Sequence, residues 1–166
     1  MNNTGTLTFF CGKMGAGKST YSQKLASETG AILLSEDDWL AALYPDEIKS
    51  LSDYQKYSAR LKPLLASHLQ ATLLRGISVV LDFPGNTRQQ RLWFKEIVSC
   101  HNIPHRLVYL EMDDSSCLLQ IGQRRLSHPE RTQFDTDAIF HQVTAHFETP
   151  ATDEGFDISI VRRTVA

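Results

Sequence analysis

The chain has 166 residues, 42% hydrophobic and 22% charged, a size and balance that fit one globular domain with a real core. Its formal net charge of -2 gives no general electrostatic pull toward nucleic acid or an anionic membrane. The opening MNNTGTLTFF has no basic start or long apolar run, no stretch nears the ~18 apolar residues of a membrane span, and Cys11, Cys100 and Cys117 lack metal spacing; a cytoplasmic protein with reduced thiols is expected.

In chain order, Thr6–Cys11 is a β-rich apolar run ending at Gly12 and reads as a buried first strand. A helix follows from Lys18, with Tyr21, Leu25 and Ala26 on one face and Gly30 as its stop. Ala31–Ser35 is a short second strand, and a short helix then runs from Glu36 until Pro45 ends it. Residues 53–76 carry Leu61, Leu65, Leu69 and Leu73 at helical spacing, with Gly76 as the stop; Pro63 must kink this helix or begin a new one. Ile77–Phe83 reads as a fully buried third strand containing Asp82, residues 87–101 as a helix, and His105–Met112 as a fourth strand. Two polar helices are expected over Ser115–Arg125 and Asp135–Phe147, separated by LSHPERTQ, and Phe156–Val161 makes a last strand.

Strand and helix alternate throughout, which predicts an α/β fold: a parallel sheet with helices on both faces, joined by right-handed crossovers. Ligands of such sheets bind beyond the carboxyl ends of the strands. Gly12, Ser35, Asp82 and Asp113 all fall at such ends, so they form one expected neighbourhood.

Between the first strand and its helix, Gly12, Gly17, Lys18 and Ser19 read G-x-x-x-x-G-K-S. Glycines here let consecutive N–H groups curl round an anion, and the helix start adds partial positive charge. The whole loop, Gly12, Lys13, Met14, Gly15, Ala16, Gly17, Lys18, Ser19 and Thr20, is therefore a candidate phosphate cradle. Lys18 would reach the outer phosphates and the Ser19 hydroxyl a Mg²⁺ ion. Asp82 closes the hydrophobic run VVLD, the layout of a Walker B strand, and is the second metal candidate. DFPG matches the D-x-x-G of GTPase switch strands and would bring the Gly85 amide toward a γ-phosphate, but no N-K-x-D guanine-reading sequence occurs, so ATP is favoured.

Asp37 and Asp38 follow the second strand, where a carboxylate could deprotonate an acceptor hydroxyl or simply favour a positive helix start. Arg124, Arg125 and Arg131 are concentrated around Pro129, a composition that suits an arginine-bearing lid over transferring phosphate. Arg88 and Arg91, one turn apart, are open to two readings, acceptor contact or salt bridging.

These residues together resemble the small P-loop kinases of the AAA-domain group that includes polynucleotide 5′-kinases, chloramphenicol phosphotransferases and zeta-toxin-like enzymes. The resemblance rests on GKMGAGKST, LSEDDWL, GISVVLDFPGNTRQQR, VYLEMDDSSCLLQIGQRR and FETPATDEGFDI in that order. It implies a three-layer P-loop NTPase fold, one kinase domain over residues 1–166 and a small helical lid over about 117–149. By the same resemblance Asp37 takes the position of the acceptor-activating base, while Asp82, Arg88 and Arg91 take positions associated with acceptor binding or structural support. Arg124 matches the leading lid arginine, with Arg125 the alternative by one residue, and Arg131 is the second by function. The activity implied is transfer of the ATP γ-phosphoryl group, with Mg²⁺, to a hydroxyl of a small acceptor. The alternatives are a polynucleotide or nucleoside 5′-hydroxyl kinase, which would admit nucleic acid only as a 5′-OH end, an ATP-binding switch or ATPase without transfer, and a GTPase.

Overall fold

The computed structural model describes residues 3–164. Five strands, β1 (Leu7–Cys11), β2 (Ile32–Ser35), β3 (Val79–Asp82), β4 (His105–Glu111) and β5 (Ile158–Arg162), form one parallel sheet in the order β2-β3-β1-β4-β5. β1 is central, and Leu7 pairs with Val79 on one side and His105 on the other. Ser35 is in register with Asp82, so the ends of β2 and β3 lie side by side.

The alternation of side chains along the strands divides the core in two. Leu7, Phe9, Cys11, Val79, Leu81, Leu107 and Tyr109 face one way, into a layer with α3 (Leu51–Leu74) and α4 (Arg88–Ser99). Phe10, Val80, Val108 and Leu110 face the other, toward α1 (Lys18–Thr29) and α5 (Asp114–Ser127), with Phe140 of α6 (Asp137–Thr144). The expected helices on both faces of a parallel sheet are therefore present. α2 (Glu36–Leu43) follows β2 and stops before Pro45, as the sequence predicts.

Two expectations are corrected and one is narrowed. Of the two readings of Pro63, the start of a new helix is excluded: α3 is a single helix from Leu51 to Leu74 with Pro63 inside it. A mid-helix proline costs about 3 kcal/mol, but Leu61, Leu65, Leu69 and Leu73 are all buried, and each contributes roughly 1.5–3 kcal/mol. Pro63 and Ala59, whose carbonyl loses its helix partner, are both exposed, so water can serve that carbonyl. The third strand is shorter than Ile77–Phe83, and Ile77 is exposed rather than buried. The last polar helix starts at Asp137, because the Thr136 side chain caps it and accepts from the Ile139 N–H; Asp135 is left outside with a different task.

The segment after α6 is tied to α4 by two arginines. Arg91 is buried and binds Glu154 through Nε at 3.0 and 2.9 Å and Nη2 at 2.8 Å, while its Nη1 donates to the Gly85 carbonyl at 2.9 Å. Arg88, more exposed, binds Asp153 at 3.2 and 2.9 Å. Removing one member of a buried pair leaves the other charge uncompensated. Glu154→Ala is expected to lower stability by about 3–5 kcal/mol in urea unfolding, whereas Asp153→Ala, at an exposed pair, should leave the urea midpoint nearly unchanged.

Candidate active site

Parallel strands ending on one edge bring four separated segments to a single open cleft of 2560 Å³. Its floor is the loop from Gly12 to Gly17, between β1 and α1. Gly15 (φ 81°) and Gly17 (φ 89°) occupy the left-handed region that other residues resist, and a Cβ on Gly15 would stand 2.6 Å from the Cys117 carbonyl oxygen. No side chain caps α1, so its first N–H groups face the loop's concavity. That is the arrangement an anion requires, and it fits a nucleotide phosphate.

Lys18 lies over the loop and donates to the carbonyls of Gly12 and, at 3.0 Å, Lys13. Burial pushes its pKa down. The Ser19 hydroxyl hydrogen-bonds Asp82, whose own pKa is raised by burial against the opposing effect of that bond. One hydroxyl and one carboxylate do not make a metal cage, and no group of three His, Cys, Asp or Glu side chains among the described residues could hold an ion. The pair suits Mg²⁺, which keeps waters and takes the rest of its shell from phosphate oxygens.

Asp37 occupies the first turn of α2, but the cap there is Ser35, whose side chain accepts from the Asp38 N–H at 3.4 Å. The Asp37 carboxylate lines the cleft and makes no hydrogen bond or salt bridge to any described residue. It is exposed at the cleft surface yet flanked by protein, and this desolvation raises its pKa; Arg131, Arg124 and Lys18 pull it down and Asp38 pushes it up. Those influences place Asp37 within electrostatic reach of every cation expected at a phosphate.

The two cleft arginines are held by a residue that the sequence reading missed. Asp135, fully buried, accepts from Arg124 Nε at 2.7 Å and Nη2 at 2.6 Å, and from Arg131 Nε at 3.1 Å. Arg124 and Arg131 both line the cleft; Arg125 instead donates to the Asp135 backbone carbonyl at 2.9 Å and does not. Burial raises the Asp135 pKa, but the hydrogen bonds and charge of Arg124, then Arg131, outweigh it and hold the group below the ordinary carboxylate range.

Three further residues were not singled out from the sequence. Glu36 is buried and accepts from the Tyr54 and Ser58 hydroxyls, which pins α2, and Asp37 with it, to α3. The signal was there: two hydroxyl residues four apart on the helix following an acid-rich turn. Asn86 accepts from the Gly12 N–H at 3.0 Å. Arg163, just past β5, donates to the Ala16 carbonyl at 3.3 Å and lies so close that a Cβ on Gly17 would meet its Nη1 at 2.5 Å. Arg88 and Arg91 do not line the cleft. Gly85 does not reach it either: it is buried, and a Cβ there would be 2.5 Å from the Phe10 carbonyl oxygen, so close packing accounts for the glycine of DFPG.

Residues 7–150 match a protein family described as an AAA domain. No curated protein sequence matches the chain. Among solved structures it is similar to a candidate kinase from Chloroflexus aurantiacus, with a TM-score of 0.73 and 18% identity over 96% of this chain and 86% of that one. A sugar kinase from Janibacter sp. HTCC2649 aligns with a TM-score of 0.64 and 16% identity over 95% and 85%. The APS kinase of Mycobacterium tuberculosis, solved with AMPPNP and APS, aligns with a TM-score of 0.61 and 18% identity over 98% and 91%. At such identities the likeness establishes the fold, a P-loop NTPase-like α/β arrangement.

Because its pKa is depressed, Asp135 stabilises the arginine pair above the ordinary carboxylate pKa, and that contribution is lost only as pH falls through a still lower value. Asp135→Ala should lower stability by about 2 kcal/mol at neutral pH and speed hydrogen exchange across residues 124–137, read by mass spectrometry.

Proposed function

The chain belongs to the AAA domain family, and from that premise we propose that it is an ATP-dependent phosphotransferase acting on a hydroxyl of a small molecule. The observation that carries this reading is the Asp37 carboxylate, unclaimed by any described residue, lining the same cleft as the phosphate loop and under the electrostatic influence of Arg131, Arg124 and Lys18. A nucleotide switch that only binds has no need of a base at the cradle, whereas a kinase uses one to activate the acceptor hydroxyl. The sugar kinase and APS kinase of like fold are in keeping with transfer to an alcohol. ATP is preferred to GTP because adenine is held by apolar and backbone contacts, whereas no guanine-reading sequence is present.

In this reading residues 1–166 act as one kinase domain and 117–149 as its lid. The loop amides and Lys18 hold the phosphates, and Arg163, beside Gly17, adds a positive charge at the loop's edge. Asp37 orients the acceptor hydroxyl and takes its proton as the oxygen forms its bond to the γ-phosphorus and the bond to the β-phosphate oxygen breaks. Arg124 and Arg131 approach the transferring group, already oriented by Asp135, and exclude water. Mg²⁺, held by Ser19 with Asp82 nearby, supplies charge neutralisation on the phosphate oxygens when bound. Arg91 acts as structural support.

A screen of hydroxyl acceptors with γ-labelled ATP tests the activity, and ATP binding without transfer to any of them would leave a nucleotide switch. Given an acceptor, Asp37→Asn should slow single-turnover transfer about 10²–10⁴-fold with ATP affinity little changed. An unchanged rate would remove Asp37 as the base. Lys18→Ala should instead weaken nucleotide binding or transfer while the protein stays folded, read by calorimetry and circular dichroism.

The pH dependence has a definite sign. A base with a raised pKa stays protonated above the ordinary carboxylate range, so the rate should fall with decreasing pH through a value above the usual 3.8. Asp38 is among the groups that raise Asp37. Asp38→Asn should therefore move the acid limb of the pH–rate profile to lower pH.

A further inference from the structure

The walls of the cleft that face Asp37 carry a charge pattern of their own. They are formed by α2, the turn into α3, the first turns of α3, the β3–α4 loop and α4. Five carboxylates line them, Asp37, Asp38, Asp46, Asp82 and Glu96, against one ammonium, Lys62. Even Lys62 is engaged, 5.5 Å from the centroid of the Trp93 ring. The cations elsewhere in the cleft, Lys13, Lys18, Arg124, Arg131 and Arg163, lie on the phosphate loop, the α5–α6 segment and the end of β5, which is the nucleotide's side.

A phosphate, sulfate or carboxylate on an acceptor would need guanidinium forks, an ammonium or a free helix start. None of these faces it from the acceptor walls apart from Lys62. Arg88 and Arg91 of α4 are committed to Asp153 and Glu154, and Arg60 of α3 lies over the Tyr57 ring outside the cleft. The starts of α2 and α3 are closed by the Ser35 and Ser50 side chains and carry their own acids in the first turn. What the walls do offer is aromatic surface: Tyr44, Tyr54 and Trp93 line the cleft, with Trp93 backed by the buried Phe83 ring, stacked at 5.2 Å.

Resting on the kinase reading, we propose that the acceptor is a hydroxyl compound with no anionic group, uncharged or cationic, that lays an apolar or aromatic face against these rings. Sugar phosphates, nucleotides and the 5′-OH ends of nucleic acids fall outside this class, because each brings negative charge to a wall that already holds it.

The test uses the full chain with Mg·ATP and matched acceptors that differ in charge: glucosamine, glucose, gluconate and glucose 6-phosphate; phenylalaninol and 3-phenyllactate; adenosine, adenosine 3′-monophosphate and a 5′-OH oligonucleotide. In each set that is turned over, the neutral or cationic member should exceed its anionic counterpart in kcat/KM by about tenfold or more at low salt. Glu96→Lys should narrow that preference about threefold or more. Preference for an anionic member, or a gap unmoved by Glu96→Lys, would overturn the charge assignment while leaving the kinase reading intact. ATP bound by calorimetry with no transfer to any member would count against the kinase reading, and this inference would fall with it.

Discussion

Parallel pairing obliges every strand of this sheet to end on the same edge, and the functional arrangement depends on that constraint. β1, held between β3 and β4, delivers Gly12 to the centre of the edge. β3 brings Asp82 beside it, and the register of β2 on β3 sets Ser35, and hence the start of α2, next to Asp82. The phosphate loop, the candidate metal pair and the candidate base are thus neighbours although up to 70 residues separate them. Each helix must cross back over a sheet face to permit this, which is why the core comes as two layers.

Charge within the molecule is partitioned in a way that serves the cleft. Cations near the phosphate loop are oriented rather than neutralised. Asp135 takes Nε and Nη2 of Arg124 but only Nε of Arg131, leaving further guanidinium N–H groups to face the cleft. The paired arginines of α4 are treated differently, with Arg91 buried whole on Glu154 so that the late segment is anchored to the sheet's other side. Asp37 on the opposite side of the cleft has no ion-pair or hydrogen-bond partner among the described residues, and desolvation by the surrounding protein raises its pKa. In Glu36 the same logic is inverted, since a buried carboxylate satisfied by two hydroxyls serves as a strut between α2 and α3.

Much of this was legible in the sequence, and for local reasons. Strand and helix periods, the glycines at left-handed positions, the G-x-x-x-x-G-K-S spacing and the acid after β2 are short-range signals, each readable within a few residues. They determined the α/β class, the phosphate loop and the candidacy of Lys18, Ser19, Asp37 and Asp82. What only the tertiary structure decided is which side chain meets which across long separations. Asp135 on the cleft arginines, Arg163 against Gly17 and Glu154 on Arg91 could not be read from spacing, since the sequence of a charged residue does not reveal its partner. Whether Arg88 and Arg91 face a ligand or an acid depends on the path of a segment some 60 residues away. Pro63 gives the same lesson in the opposite direction, because its local cost was readable but the burial of four leucines that outweighs it exists only once α3 lies on the sheet.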